Sequence, residues 1–116
     1  MATESIYSWR EFYTLKERFE VPDEKVLKVA KALSSDTRLA IIALLINKSM
    51  DVSRIAEALK QTEANISAQV KLLEQAGLIK SHYEPGEHGV RKVCEPAVKN
   101  VIFDTTSLKL ETHTRK

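Results

Sequence analysis

Apolar residues recur at helical spacing through the first two thirds of the chain, and the period shortens after residue 77. Residues 4–19 read as an amphipathic helix. Ile6, Trp9, Phe12, Tyr13, Leu15 and Phe19 fall within one half of its wheel, with Lys16 interrupting that face. Pro22 ends this helix, and Asp23 or Glu24 opens the next with negative charge at its N-terminus. Val26, Val29, Ala30 and Leu33 form the inward stripe of the second helix. Ser34, Ser35 and Asp36 supply capping side chains for a third, from Thr37 to Asn47. Leu39, Ile41, Ile42, Leu44, Leu45 and Ile46 make the third apolar nearly all round, which predicts a place in the middle of a bundle. A fourth helix carries Val52, Ile55, Ala56 and Leu59 at the same spacing. The fifth runs from Thr62 to Gln75 on an inward stripe of Ile66, Val70 and Leu73. Gly77 can end it, because glycine accepts the left-handed position after a helix without a Cβ clash.

Beyond Gly77 the pattern is that of strands. Leu78 to Tyr83 has strand character, Pro85-Gly86-Glu87-His88-Gly89 is a turn, and Val90 to Cys94 returns as the partner, giving a hairpin near residues 78–94. A short strand from Val101 to Asp104 is expected next, and residues 105–116 read as a polar tail. The expected fold is mainly α with a small β-hairpin wing, a winged helix-turn-helix. Its expected divisions are a separate N-terminal helix in residues 1–20, the winged domain in 21–104, and the tail.

The 116 residues suit one domain, and 43% hydrophobic with 29% charged residues is ordinary for a globular protein. Cys94 is the single cysteine, so no intramolecular disulfide framework exists. No apolar run reaches the length of a membrane span and no signal peptide is read at the start, so the cytoplasm is expected. The net charge of +2, from 18 basic and 16 acidic side chains, permits nucleic-acid binding without arguing for it. There is no nucleophile–base constellation, no phosphate-binding glycine loop and no paired metal-ligand motif, which leaves little room for an enzyme.

The informative unit is the fourth helix, a short turn, the fifth helix and the hairpin. Two helices joined steeply by about four residues form a helix-turn-helix, and Ala56 suits their crossing. With Ile66, Val70 and Leu73 turned inward, the fifth helix offers Thr62, Asn65, Ser67, Ala68, Gln69 and Lys71 outward. Asparagine and glutamine can meet adenine bidentately, serine and threonine reach phosphate or base, and lysine adds charge. A polar face alone describes any soluble helix. The order of a central apolar helix, a small-residue helix, a polar-faced helix, Gly77 and a hairpin is what points to double-stranded DNA.

Ala32-Leu33-Ser34-Ser35-Asp36-Thr37-Arg38-Leu39 resembles the opening signature of the ArsR-type winged-helix repressors, A-L-A-D-P-T-R-L. Residues 52–79 resemble that family's helix-turn-helix through the start of its wing, most closely in I-S-A-Q-V-K-L-L-E-Q-A-G-L-I over 66–79. G-V-R-K-V-C from Gly89 is similar to archaeal regulators of this class. The resemblance, covering about residues 29–94, implies base or phosphate contacts at Ser67, Gln69 and Lys71, flanked by Thr62 and Asn65. It makes the hairpin a wing in which His88, Arg91 and Lys92 meet DNA, and it places Arg38 in an ion pair or on a phosphate. Three positions depart from the pattern. Lys60 stands where glycine is usual, Gln61 where an apolar residue is usual, and Ala68 where arginine or glutamine is common.

Family members often hold a metal through a cysteine pair that falls here on Asp51 and Ser53, neither a cysteine. A wing site from His82, His88 and Cys94 lacks recognisable zinc spacing, and Asp104, Glu111 and His113 are unsuitably spaced. No metal or cofactor is therefore expected, and the sequence names no effector. Five of the seven aromatic residues precede residue 20, and Ile6, Trp9, Phe12, Tyr13 and Phe19 read as the interface of a homodimer. Two other readings stay open: a winged-helix module that binds proteins, and a chromatin-like binder indifferent to DNA sequence.

Overall fold

A computed structural model describes residues 16–106 and residue 108. Strand β1 (Lys16–Glu20) leads through a 3-10 turn at Asp23–Lys25 into helices α1 (Val26–Ala32) and α2 (Asp36–Leu44). A short β2 (Met50–Asp51) precedes α3 (Val52–Leu59) and α4 (Glu63–Gln75). Three strands close the described chain: β3 (Ile79–Gly86), β4 (Gly89–Pro96) and β5 (Val98–Ile102).

Short side-chain acceptors start the last three helices. Ser35, Asp51 and Thr62 are extended, and each accepts the backbone N–H three residues on, from Arg38, Arg54 and Asn65. Two helices end alike. After α4, Gly77 (φ 81°) turns left-handed, with Leu78 N–H donating to Leu73 O and Gly77 N–H to Glu74 O. After α3 the left-handed residue is Lys60 (φ 57°, ψ 47°), with Gln61 N–H donating to Ala56 O. A lysine there carries the Cβ penalty that glycine avoids. Lys60→Gly is expected to raise stability by about 1 kcal/mol, seen as a higher urea midpoint at unchanged slope.

The core lies where the helices meet the hairpin. Val29, Ile41, Leu45, Ile55, Ile66, Val70, Leu73 and Cys94 are fully buried. The hairpin closes over a two-residue turn, Gly86 pairing Gly89, and runs in register to Ile79 opposite Pro96. β2 joins its other edge, Asp51 opposite Val93, so the sheet order is β2-β4-β3, all antiparallel. Mainly helical, with a hairpin after a helix-turn-helix, this is the winged helix-turn-helix expected from the pattern.

The structure departs from the sequence expectations at its edges. Residues 16–19 are strand, not the end of an amphipathic helix: β1 pairs in parallel with β5, Phe19 opposite Val101, and Phe19 packs on its own core. Lys16, which interrupted the helical face, is part of that pairing, and tertiary hydrogen bonding wins over a weak local pattern. Residues 1–15, with Ile6, Trp9, Phe12 and Tyr13, lie outside the described residues, as does most of the tail. The strand expected at Val101–Asp104 sits earlier, at Val98–Ile102, to match β1. The third expected helix is shorter than read and not enclosed: α2 ends at Leu44, its Leu39 is 47% exposed, and Ile46, beyond its end, is 63% exposed. Ala30, placed on the inward stripe, is exposed, and Ala32 is buried instead. β2 had no pattern to announce it, being two residues long.

Candidate nucleic-acid interface

α4 buries Ile66, Val70 and Leu73 completely and turns Ser67, Ala68 and Lys71 to solvent. Its outward face is therefore free of any duty to the core. Thr62 is occupied as the helix cap, its Oγ1 accepting Asn65 N–H at 3.0 Å. Asn65 and Gln69, one turn apart, are half-buried and hydrogen-bonded to each other, with Gln69 Nε2 donating to Asn65 Oδ1 at 3.2 Å. Gln69 Oε1 accepts from Arg38 Nη1 at 2.6 Å. Arg38 thus does not make the ion pair its sequence position suggested. Its other guanidinium nitrogens donate to the Ala32 and Lys31 carbonyls, and it pairs with no carboxylate among the described residues.

The β2–β4 pairing sets the wing beside the two helices, leaving an open groove lined by Ser53, Arg54, Ser67, Tyr83, His88 and Arg91. The two wing cations singled out by the sequence, Arg91 and Lys92, are not free. Arg91 donates to Asp51 Oδ2 at 2.8 Å and to Glu84 Oε1 at 3.1 Å, and Lys92 pairs with Glu74 at 3.2 Å. Glu84 also accepts from His82 Nε2 at 2.6 Å. The His82 hydrogen bond and then Arg91 hold the Glu84 carboxyl below its ordinary range, while Asp51 and then Glu84 raise the Arg91 guanidinium. His88, 95% exposed at the hairpin tip, is a wing residue open to a ligand.

Arg54 is a candidate that the sequence pattern did not supply. It is exposed in the groove, and its guanidinium has no ion-pair partner among the described residues. Nothing in its local sequence marks it, since only the long-range pairing of β2 with β4 brings the wing opposite. Glu63 tempers the cationic character here, accepting from Ser53 Oγ at 2.9 Å.

Cys94 is buried 3.6 Å from Ser81 Oγ, and desolvation pushes its thiol up, so little reactive thiolate forms near neutrality. His82 is the neighbour of Ser81 on β3 and points to the opposite face of the hairpin. The structure therefore does not bring His82 and Cys94 together. Among the described residues no group of three or more His, Cys, Asp or Glu is placed to hold a metal ion, and no helix is long and apolar enough to cross a membrane.

Known proteins share this arrangement. The model of the bacterial regulatory protein arsR family matches residues 35–81. An uncharacterised HTH-type transcriptional regulator of Methanocaldococcus jannaschii is 35% identical over 80 residues, 68% of this chain and 89% of the relative. The homodimeric winged helix-turn-helix DNA-binding domain of a possible ArsR-family regulator from Mycobacterium bovis superposes with a TM-score of 0.57 at 30% identity, over 64% of this chain and 65% of that one. HlyU from Vibrio cholerae, at 19% identity and a TM-score of 0.56 over 64% and 76% of the two chains, shares the fold.

Proposed function

The chain belongs to the ArsR family of helix-turn-helix transcriptional regulators, DNA-binding proteins rather than enzymes, and on that premise we propose that it acts as a homodimer that reads double-stranded DNA with α4 in the major groove and the β3–β4 wing alongside. The observation that carries this reading is the division of α4. One face is wholly committed to the core, and the other presents Ser67, Ala68 and Lys71 to solvent, with Ser67 lining the groove under the wing.

Each group then has a distinct task. Ser67 and the Ala68 methyl face base edges, with alanine suited to a thymine methyl. Lys71, Arg54 and His88 meet phosphates. Arg91 and Lys92 first brace the wing through Asp51 and Glu74, and Arg91, half exposed, can meet the DNA backbone while still held. A two-fold dimer places two copies of α4 about one helical turn apart. The apolar positions Ile6, Trp9, Phe12 and Tyr13 are assigned to the dimer contact, and Phe19 is released from that role to its own core. A regulator of this kind works in the cytoplasm, where its DNA is.

The test is selection from randomised duplex DNA, followed by affinities at two salt concentrations and a mass by light scattering. A two-fold symmetric site and a dimer mass are expected together. Lys71→Ala and Arg54→Ala should each weaken all sequences alike and reduce the salt slope by about one, because each removes one phosphate neutraliser. Unchanged slopes in both variants would place the DNA elsewhere on the protein. The pairing of Arg91 and Lys92 with carboxylates favours a second reading, a module for protein partners, and the absence of any DNA binding would select it.

A further inference from the structure

Five side chains on the outward surface between α2 and α4 form a one-directional hydrogen-bond circuit. Arg38 donates to Gln69 Oε1 at 2.6 Å, and Gln69 Nε2 donates to Asn65 Oδ1 at 3.2 Å. Asn65 Nδ2 donates to Gln61 Oε1, and Gln61 Nε2 reaches Thr37 Oγ1 at 3.5 Å. The circuit begins and ends on neighbouring residues of α2, Arg38 and Thr37. Between them it crosses three carboxamides spaced four residues apart, Gln61 in the turn before α4 and Asn65 and Gln69 on it.

A guanidinium has donors only, so Gln69 must turn its oxygen toward Arg38 and its nitrogen toward Asn65. Asn65 and Gln61 are then oriented in turn. Arg38 has no freedom to do otherwise, because its Nε and Nη2 donate to the Ala32 and Lys31 carbonyls at 2.8 and 2.9 Å. A solvent-facing carboxamide without such an anchor can flip, exchanging donor and acceptor. Each anchored carboxamide keeps one N–H and one oxygen lone pair unspent, the combination that the adenine N7 and N6 positions require.

We infer that Arg38 is a positioning residue for base recognition, fixing the order of oxygen and nitrogen on Gln69 and Asn65 so that α4 meets an adenine edge in one direction only. The inference rests on α4 being the DNA-reading helix. It explains why Gln69 is half-buried and already engaged, which a free base-reading side chain would not be. Immobilising the carboxamides beforehand also removes part of the ordering cost of binding.

The probe is the duplex enriched from a randomised double-stranded DNA pool by the full chain, together with its single-base-pair variants. Affinities are compared for the wild type, Arg38→Lys, Gln69→Ala and the double variant at two salt concentrations. Side-chain amide NMR signals follow Gln69 and Asn65 in the free protein. Lysine keeps the charge but cannot hold three acceptors in a planar fork. Arg38→Lys and Gln69→Ala should each lower the preference for the same A·T pair about tenfold, and the double variant should lose no more than either, with the salt slope unchanged. The Gln69 amide protons should exchange faster in Arg38→Lys than in the wild type. Should Arg38→Lys not fold, Gln61→Ala opens the circuit from its far end and should lower the same preference, about threefold. A site whose preferences survive Arg38→Lys and Gln69→Ala would end the positioning role while leaving α4 as the reader. An Arg38→Met variant with reduced salt slope and intact preferences would make Arg38 a phosphate contact and end it equally. Failure of the wild type to select any sequence would remove the DNA-reading premise first.

Discussion

Ile66→Ala is expected to cost about 3–4 kcal/mol of folding stability and to be the most damaging single truncation behind the reading face of α4. Ile66 is fully buried in the cluster that joins α4 to Ile55 of α3, Ile41 of α2 and Val29 of α1. Its neighbours along α4, Ser67 and Ala68, face solvent. Alanine would remove three carbons and leave a cavity in a core whose members come from every described helix, so collapse around it is restricted. For a domain of this size total stability is on the order of 5–15 kcal/mol, so the loss is a large share of it. Urea unfolding should show a lower midpoint at unchanged slope. DNA affinity should fall only in proportion to the unfolded fraction, since no reading side chain is altered. A cost under about 1 kcal/mol would mean that α4 is not seated as described.

The second large effect is expected at Asp51, which is only 7% exposed. One carboxylate oxygen caps α3 by accepting Arg54 N–H at 2.8 Å, and the other accepts from Arg91 at 2.8 Å. Asp51→Ala removes the cap and the anchor of the wing at once, and should cost about 2 kcal/mol. Asp51→Asn retains an acceptor for the cap and should cost less. Hydrogen exchange should separate the two roles, with amides of residues 84–91 losing protection in Asp51→Ala before those of α4. If the wing amides kept their protection, the Arg91 contact would be decorative.

The same cluster predicts a pH dependence with a definite sign. Glu84 has its carboxyl lowered from an ordinary 4.5, first by His82 and then by Arg91. A group depressed in the folded state contributes stability that is fully present above its unfolded value and is lost as pH falls through the folded one. Wing protection should therefore be constant at neutral pH and decline below 4.5. In Glu84→Gln that decline should be blunted. The side chains involved are exposed, so salt should weaken the effect.

What could be read without coordinates follows the range of the interactions. α2, α3, α4 and the hairpin come from apolar spacing, from the capping side chains around Ser35, and from the turn between Pro85 and Gly89, all settled within a few residues. The separation of Ile66, Val70 and Leu73 from Ser67, Ala68 and Lys71 is equally local, so the exposed part of the candidate reading face was legible. The free or bound state of a polar group was not. Gln69, Arg91 and Lys92 all look available in sequence, and each is engaged by a partner that the fold supplies.

The chain by itself therefore determined four helices, a wing and the residue types on the outer side of α4, because period and capping act over one or two turns. Tertiary structure alone decided that residues 16–20 are a strand, since their partner β5 lies some eighty residues away. It alone decided that Arg38 holds Gln69 across 31 positions and that Asp51 holds Arg91 across 40. Such contacts depend on where whole elements pack, and no local period encodes that.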